Sequence, residues 1–212
     1  MWNEQIIMML LEGIKDTLYM TLTSTLIGYV IGLPMGILLT VTDKDGIHPN
    51  TAVYKVLDVI ANLIRSVPFL ILLIVLIPFT RFLIGRSYGP TATIVPLVIA
   101  AAPYIARMVE SSLKEVDAGV IEAARSMGAS NFTIVTKVML VVGATISLGT
   151  ILGYSAMAGT VGGGGLGDIA IRYGYTRWQT DIMIVTVILL VILFQIFQTI
   201  GMKLASNLDR RK

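Results

Sequence analysis

Long uncharged runs alternate with short charged ones along this chain. Residues 17–42, 66–80, 87–106, 138–167 and 182–202 contain no Asp, Glu, Lys or Arg. Crossing the hydrocarbon of a bilayer takes about 20 apolar residues in a helix, and four of these runs are long enough outright. The run from 66 is short, but residues 56–64 are apolar apart from Asp58 and Asn62. A helix entering near Val56 therefore reaches across, with Arg65 near one interface or facing protein. The pattern predicts five membrane-spanning helices and an all-α membrane protein. Ahead of the first span, the apolar stretch 6–11 predicts a lead-in helix lying in the interface. Residues 1–16 lack a basic start and a small-residue cleavage site, which argues against a removed signal peptide.

Composition supports this reading, since 55% of the 212 residues are hydrophobic and only 14% are charged. A soluble domain needs more charge to cover itself. Basic residues also fix a direction, because loops rich in Lys and Arg stay in the cytoplasm. With five spans, one side holds Lys15, Arg81, Arg86, Arg172 and Arg177, and the other holds the remaining 11 of the 16 basic residues. The N-terminus is thus expected outside and the C-terminus inside. The net charge of +3 then reads as topology and not as affinity for nucleic acid.

Other chemistry is narrowed by what is missing. Without cysteine there is no disulfide, thiol nucleophile or sulfur-bound metal. The only histidine, His48, falls in a loop with no carboxylate constellation, so no metal site is expected. Asp58 is the only acid close to a span, which leaves no paired acids for an ion or proton pathway.

Glycine and proline mark how the spans pack. Gly28, Gly32 and Gly36 recur every four residues, with Ser24 and Thr40 extending the stripe, and predict a tight helix contact. Gly149 and Gly153 repeat the spacing in the fourth span. Pro68 and Pro78 in the second span, and Pro96 and Pro103 in the third, each remove a backbone donor and favour kinks. Gly162 to Gly165 resembles no phosphate loop, because the Lys and hydroxyl that hold phosphate and magnesium do not follow. The run is expected instead to break the fourth helix and let backbone approach backbone, as a gate or docking site on the outer face.

The charged stretch 109–137 is the most structured of the predicted loops. Asp117 can cap a helix from Ala118, with Glu122 in its first turns and Gly128 placed to end it in a left-handed conformation. Ser130 or Asn131 can cap a second helix running through Lys137. Ala123 and Ala124 present a small surface beside the Glu122 carboxylate, so this helix could fit closely into a groove. An amphipathic element lying on the bilayer is the alternative.

Glu122-Ala123-Ala124, Gly128 and then Val138 and Leu140 resemble the cytoplasmic signature of permease subunits of binding-protein-dependent ABC importers. Val138 stands where that family usually has isoleucine, and Val141 where it has proline. Arg65-Ser66-Val67-Pro68-Phe69, the stretch 156–161, Gly165-Leu166-Gly167-Asp168 and Tyr173-Gly174-Tyr175 narrow the resemblance to permeases of methionine importers. The resemblance covers nearly the whole chain.

It implies a single permease domain over 1–212 with the type I ABC importer fold and a cytoplasmic coupling segment at 109–137, in the cell inner membrane. It further implies a homodimer, two copies of an ABC ATPase subunit, and an extracytoplasmic methionine-binding protein, often a lipoprotein. ATP and Mg2+ would bind that ATPase, so the permease itself needs no cofactor and is not an enzyme. Glu122, Ala123, Ala124 and Gly128 would form the coupling surface. Ser66, Tyr154, Ser155 and Met157, in or beside the proline- and glycine-marked helices, are the expected translocation-pathway residues. The implied function is methionine import by alternating access, with another amino acid or a methionine analogue as the alternative cargo. A secondary transporter without an ATPase is disfavoured by the missing intramembrane acids and the lack of an internal repeat. A membrane scaffold that transports nothing is the remaining rival.

Overall fold

The computed structural model of the protein describes residues 4–46, 48–114 and 140–208. Every regular element among them is helical. The helices are α1 (Glu4–Thr42), α2 (Thr51–Ser66), α3 (Phe69–Val75), α4 (Ile77–Ile84), α5 (Pro90–Lys114), α6 (Leu140–Ala158), α7 (Gly165–Ile169) and α8 (Thr180–Leu208). A 3-10 turn, Gly159–Val161, follows α6, and a π turn, Ala170–Tyr175, follows α7.

The long apolar runs become long helices. Glu4–Thr42, Pro90–Ser111 and Thr180–Ile200 are each long and apolar enough to cross a membrane. The expected interfacial helix is not separate, because residues 6–11 and the first span form one 39-residue helix. At 1.5 Å per residue it is about 58 Å long, nearly twice the roughly 30 Å of hydrocarbon. One end must therefore emerge from the apolar slab or the helix must tilt strongly.

The second span, where Pro68 and Pro78 are expected to favour kinks, is broken into three short helices. α2 and α3 meet at a bend of 102°. Proline disfavours the helical conformation for the residue before it, and Val67 adopts φ −83, ψ 125. Pro78 acts differently, sitting in the first turn of α4, where its missing N–H has no helical partner to lose. Pro96 and Pro103 lie inside α5, which continues past both.

α5 is the centre of the bundle. Leu97, Ala101, Ile105, Ala106 and Val109 are buried, together with Met20 of α1 and Ile151 of α6. The glycine stripe packs against it as the spacing predicts. A Cβ on Gly32 would sit 2.6 Å from the Ala102 carbonyl oxygen, and one on Gly36 2.5 Å from that of Ala106. Gly149 gives way to the Phe194 ring of α8 in the same manner, 2.8 Å from its would-be Cβ, whereas Gly153 faces open space among the described residues.

The glycine run ends α6 early. Gly162 and Gly164 take φ of 77 and 84, a region that residues with a Cβ rarely adopt. The chain then folds back so tightly that a Cβ on Gly159 or Gly167 would strike backbone atoms. α7 re-enters against α1, where Thr17 Oγ1 accepts from the Leu166 N–H at 2.9 Å and donates to the Gly13 carbonyl at 2.8 Å. The expected close backbone approach is thus realised, over the last residues of what reads in sequence as the fourth span.

Candidate functional site

Among the described residues, two clusters of polar or aromatic side chains stand out inside this apolar bundle. The first is at the α2–α3 break. A cavity of about 180 Å³ opens there, lined by residues that include Arg65 and Val67 at the break, Phe69 of α3, Ala100 and Tyr104 of α5, and Tyr154 of α6. The rings of Phe69 and Tyr154 stack face to face, 4.5 Å between centroids and 8° from parallel. Such pairs add roughly 0.5–1.5 kcal/mol beyond the area they bury. The Tyr104 hydroxyl lies 3.3 Å from Thr150 Oγ1, which donates to it. Arg65 pairs with no carboxylate among the described residues.

The four pathway residues named from sequence fall in different surroundings. Tyr154 lines the cavity. Ser66, between the lining residues Arg65 and Val67, does not itself line the cavity; it is exposed, with its hydroxyl donating to the Asn62 carbonyl at 2.7 Å. Ser155 points away from it, 1% exposed, 3.4 Å from Thr21 of α1, and donates to the Leu152 carbonyl at 2.8 Å. Met157 is 51% exposed. The coupling residues Glu122, Ala123, Ala124 and Gly128, together with the two short helices expected around them and Val138, lie outside the described residues.

The second place is the end of α5, which runs to Lys114, so the opening residues of the 109–137 stretch continue the helix. Glu110 is 4% exposed. Its two oxygens accept from Arg107 Nη1 at 2.7 Å and from Lys114 Nζ at 2.8 Å, and the Tyr54 hydroxyl approaches at 3.4 Å. Arg107 reaches across to α2, where Nη2 pairs with the Asp58 carboxylate and donates to Asn62 Oδ1 at 2.9 Å. Lys114 also pairs with Asp43, in the loop after α1, at 2.7 Å. Three carboxylates thus face two cations, and α1, α2 and α5 are tied at one end. Partial burial alone would push the Lys114 ammonium down. The hydrogen bonds to Asp43 and Glu110 outweigh it and hold the pKa well above the ordinary lysine value. The hydrogen bond from Lys114 in turn holds the Asp43 carboxyl below its usual range.

Sequence reasoning assigned this cluster no role, although the spacing carries a signal. Arg107, Glu110 and Lys114 are three and four residues apart, on one helical face, and Tyr54, Asp58 and Asn62 recur every four residues on another. Among the described residues no group of His, Cys, Asp or Glu could hold a metal ion.

Comparison with known proteins connects this architecture to a family. Residues 28–212 match the family described as "Binding-protein-dependent transport system inner membrane component". The chain is 46% identical to the Vibrio cholerae protein named "Probable D-methionine transport system permease protein MetI", over 96% of this chain and 93% of that protein. It is 49% identical to the D-methionine transport system permease protein MetI of Escherichia coli K12, over 74% and 76% of the two chains. Among solved structures, a chain of the inward-facing MetNI methionine ABC transporter superposes with a TM-score of 0.93 at 46% identity, covering 99% of this chain and all of that one. Matched over nearly its full length in both sequence and fold, the chain belongs to the family of binding-protein-dependent transport system inner membrane components.

Proposed function

We propose that this protein is the permease subunit of an ATP-driven importer of methionine, working as a homodimer with two copies of a separate ABC ATPase and fed by an extracytoplasmic methionine-binding protein. The observation that carries the reading is the full-length superposition on the MetNI permease. At such identity it extends beyond fold to the assembly that the relative is named for. ATP and Mg2+ belong to the partner, and this chain supplies the path and the contact that couples it to hydrolysis.

In this reading five spans cross the membrane, with the N-terminus outside and the C-terminus in the cytoplasm. Support comes from the three long apolar helices and the α2–α3 pair, and from α6, whose 19 residues extend about 28 Å. The 11 basic residues on one side set the direction. Glu122, Ala123, Ala124 and Gly128 dock into the ATPase. Ser66, Tyr154, Ser155 and Met157 belong to the pathway, and the position of Tyr154 in the cavity lining supports that residue most directly.

Two experiments test the proposal. Cells lacking this subunit should lose uptake of labelled methionine and regain it with the gene; unchanged uptake would overturn the cargo, and competition by D- and L-methionine would define its stereochemistry. Replacing Gly128 with Trp should abolish uptake while the subunit still dimerises in the membrane, since a bulky side chain opposes the left-handed turn expected of a glycine at that position. Normal ATP-driven uptake by that variant would remove Gly128 from the coupling surface.

A further inference from the structure

The cavity at the α2–α3 break combines features that apolar packing does not require. Arg65 is exposed at the cavity and has no carboxylate partner among the described residues, and a guanidinium that lines a cavity between the helices of a membrane protein marks a candidate ligand or ion path. Arg65 stands in the last turn of α2, where the 102° bend separates it from the helix that would otherwise continue over it. Around it the lining is aromatic and aliphatic, led by the Phe69–Tyr154 stack and Tyr104. The volume of 180 Å³ equals about six waters of liquid. It is smaller than the roughly 300–1,000 Å³ of sites for drug-sized ligands.

We infer that this cavity is a transient binding site for a small amino acid, in which Arg65 takes the carboxylate and the Phe69–Tyr154 pair takes an unbranched apolar or thioether side chain. The inference rests on the transport reading and deepens it by naming a site within the path. A planar guanidinium holds a carboxylate through two parallel hydrogen bonds. A thioether sulfur is attracted to aromatic rings, so the stack suits a methionine side chain without requiring one. Val67 and Pro68 hold the break open by conformation alone, so the site exists before any ligand arrives. A purely structural role for Arg65 is favourable interaction with the C-terminal end of the α2 dipole, which any cation would fill equally.

The test uses the complete transporter, with ATPase and binding protein, in phosphatidylcholine nanodiscs. A diazirine analogue of methionine, first verified to inhibit uptake of labelled methionine, is photolysed and its attachment mapped by mass spectrometry. Label is expected on the peptides carrying Phe69, Tyr104 or Tyr154. Arg65→Gln should reduce it at least tenfold, and Arg65→Lys should restore it only in part. Phe69→Leu, which keeps apolar bulk but removes the stack, should reduce it severalfold. Methioninol, which lacks the carboxylate, should compete at least tenfold less well than methionine. Variants that co-purify with the ATPase at wild-type yield are folded and assembled, so loss of label in them reports the site.

Label elsewhere, label undiminished in Arg65→Gln, full rescue by Arg65→Lys, or equal competition by methioninol would each overturn the site. So would Arg65-dependent retention of phosphatidylglycerol, in nanodiscs containing it, that methionine fails to displace, since the guanidinium would then serve a lipid headgroup. Any of these outcomes leaves methionine import standing if the wild-type complex still takes up labelled methionine. Absence of that uptake brings down both readings.

Discussion

α5 meets α1 and α2 in opposite ways. Against α1 it makes a dry seam in which Gly28, Gly32 and Gly36 let backbone lie on Ala101, Ala102, Ile105 and Ala106. Against α2, whose one buried residue is the small Ala61, polar side chains mark the join: Arg107 with Asp58 and Asn62, and Tyr54 with Glu110. Close-packed backbones have one geometry and no low-energy way to part. An ion-paired join is held by long side chains that can extend, exchange partners or admit water. The seam fits two helices that stay together through a transport cycle, and the clamp fits two that shift relative to each other.

The largest expected effect comes from filling the seam. A side chain at Gly32 meets the Ala102 carbonyl and the branched Ile105 Cβ, and neither can rotate away. Gly32→Leu should cost at least about 3 kcal/mol, at the upper end for overpacked cores, and should abolish recovery of folded protein from membranes. Gly153→Leu is the matched control, because among the described residues no atom beyond its own helix turn lies within 4 Å of its Cβ position. Its recovery should stay near wild type unless a second copy covers that face. Equal loss in both variants would mean that the seam has no special rigidity.

The seam was legible in the sequence and the clamp was not, for a physical reason. Glycine every fourth residue has few uses besides close helix approach, so spacing alone predicts the contact. Arg107 and Lys114 read instead as loop charges at the edge of an apolar run, because a count of uncharged residues ends a span at the first charge. The helix continues past Arg107, since Asp58 and Glu110 neutralise it within the fold. The same limit affected the second span. Hydropathy sees residues 56–80 as one apolar segment, whereas Pro68 turns the chain by 102°. Pro96 and Pro103, equally visible in sequence, leave α5 intact because it is packed on several sides. Proline sets the local conformation, and the neighbours decide whether a helix survives it. The stacked pair of Phe69 and Tyr154 is a contact across 85 positions of the chain that follows only from the fold.

An intermediate effect is expected at Glu110, the buried acid shared by both cations. Glu110→Gln keeps the shape but leaves Arg107 and Lys114 with only Asp58 and Asp43, which should cost about 2 kcal/mol. That is less than the roughly 3–5 kcal/mol for breaking an isolated buried pair, because two acids remain. A functional role for the clamp adds a second readout. ATP hydrolysis by the assembled transporter should continue while methionine uptake falls at least fivefold, as Arg107 loses the acid that orients it toward α2 and the contact from Tyr54 weakens. If uptake and hydrolysis fall in proportion, the clamp contributes stability alone.

The smallest effect separates the clamp from the seam by solution conditions. Asp43 has its pKa lowered by Lys114, so its contribution is present above the ordinary aspartate pKa of about 3.9 and disappears as pH falls through the depressed value. Lys114 has its pKa raised, so its contribution is complete below the ordinary lysine value of about 10.4 and is lost only as pH rises through the elevated one. Thermal stability should therefore be flat from about pH 5 to 9 and decline on both sides of that window. Asp43→Asn should lower the plateau by about 0.2–1 kcal/mol, the usual range for exposed pairs, and should make the acid decline shallower. Added salt should narrow the gap between variant and wild type, since these groups are screened, while leaving the Gly32→Leu defect unchanged. A salt-insensitive Asp43→Asn, measured by thermal melting in nanodiscs, would show that the loop after α1 is held by packing and that charge holds only α2 to α5.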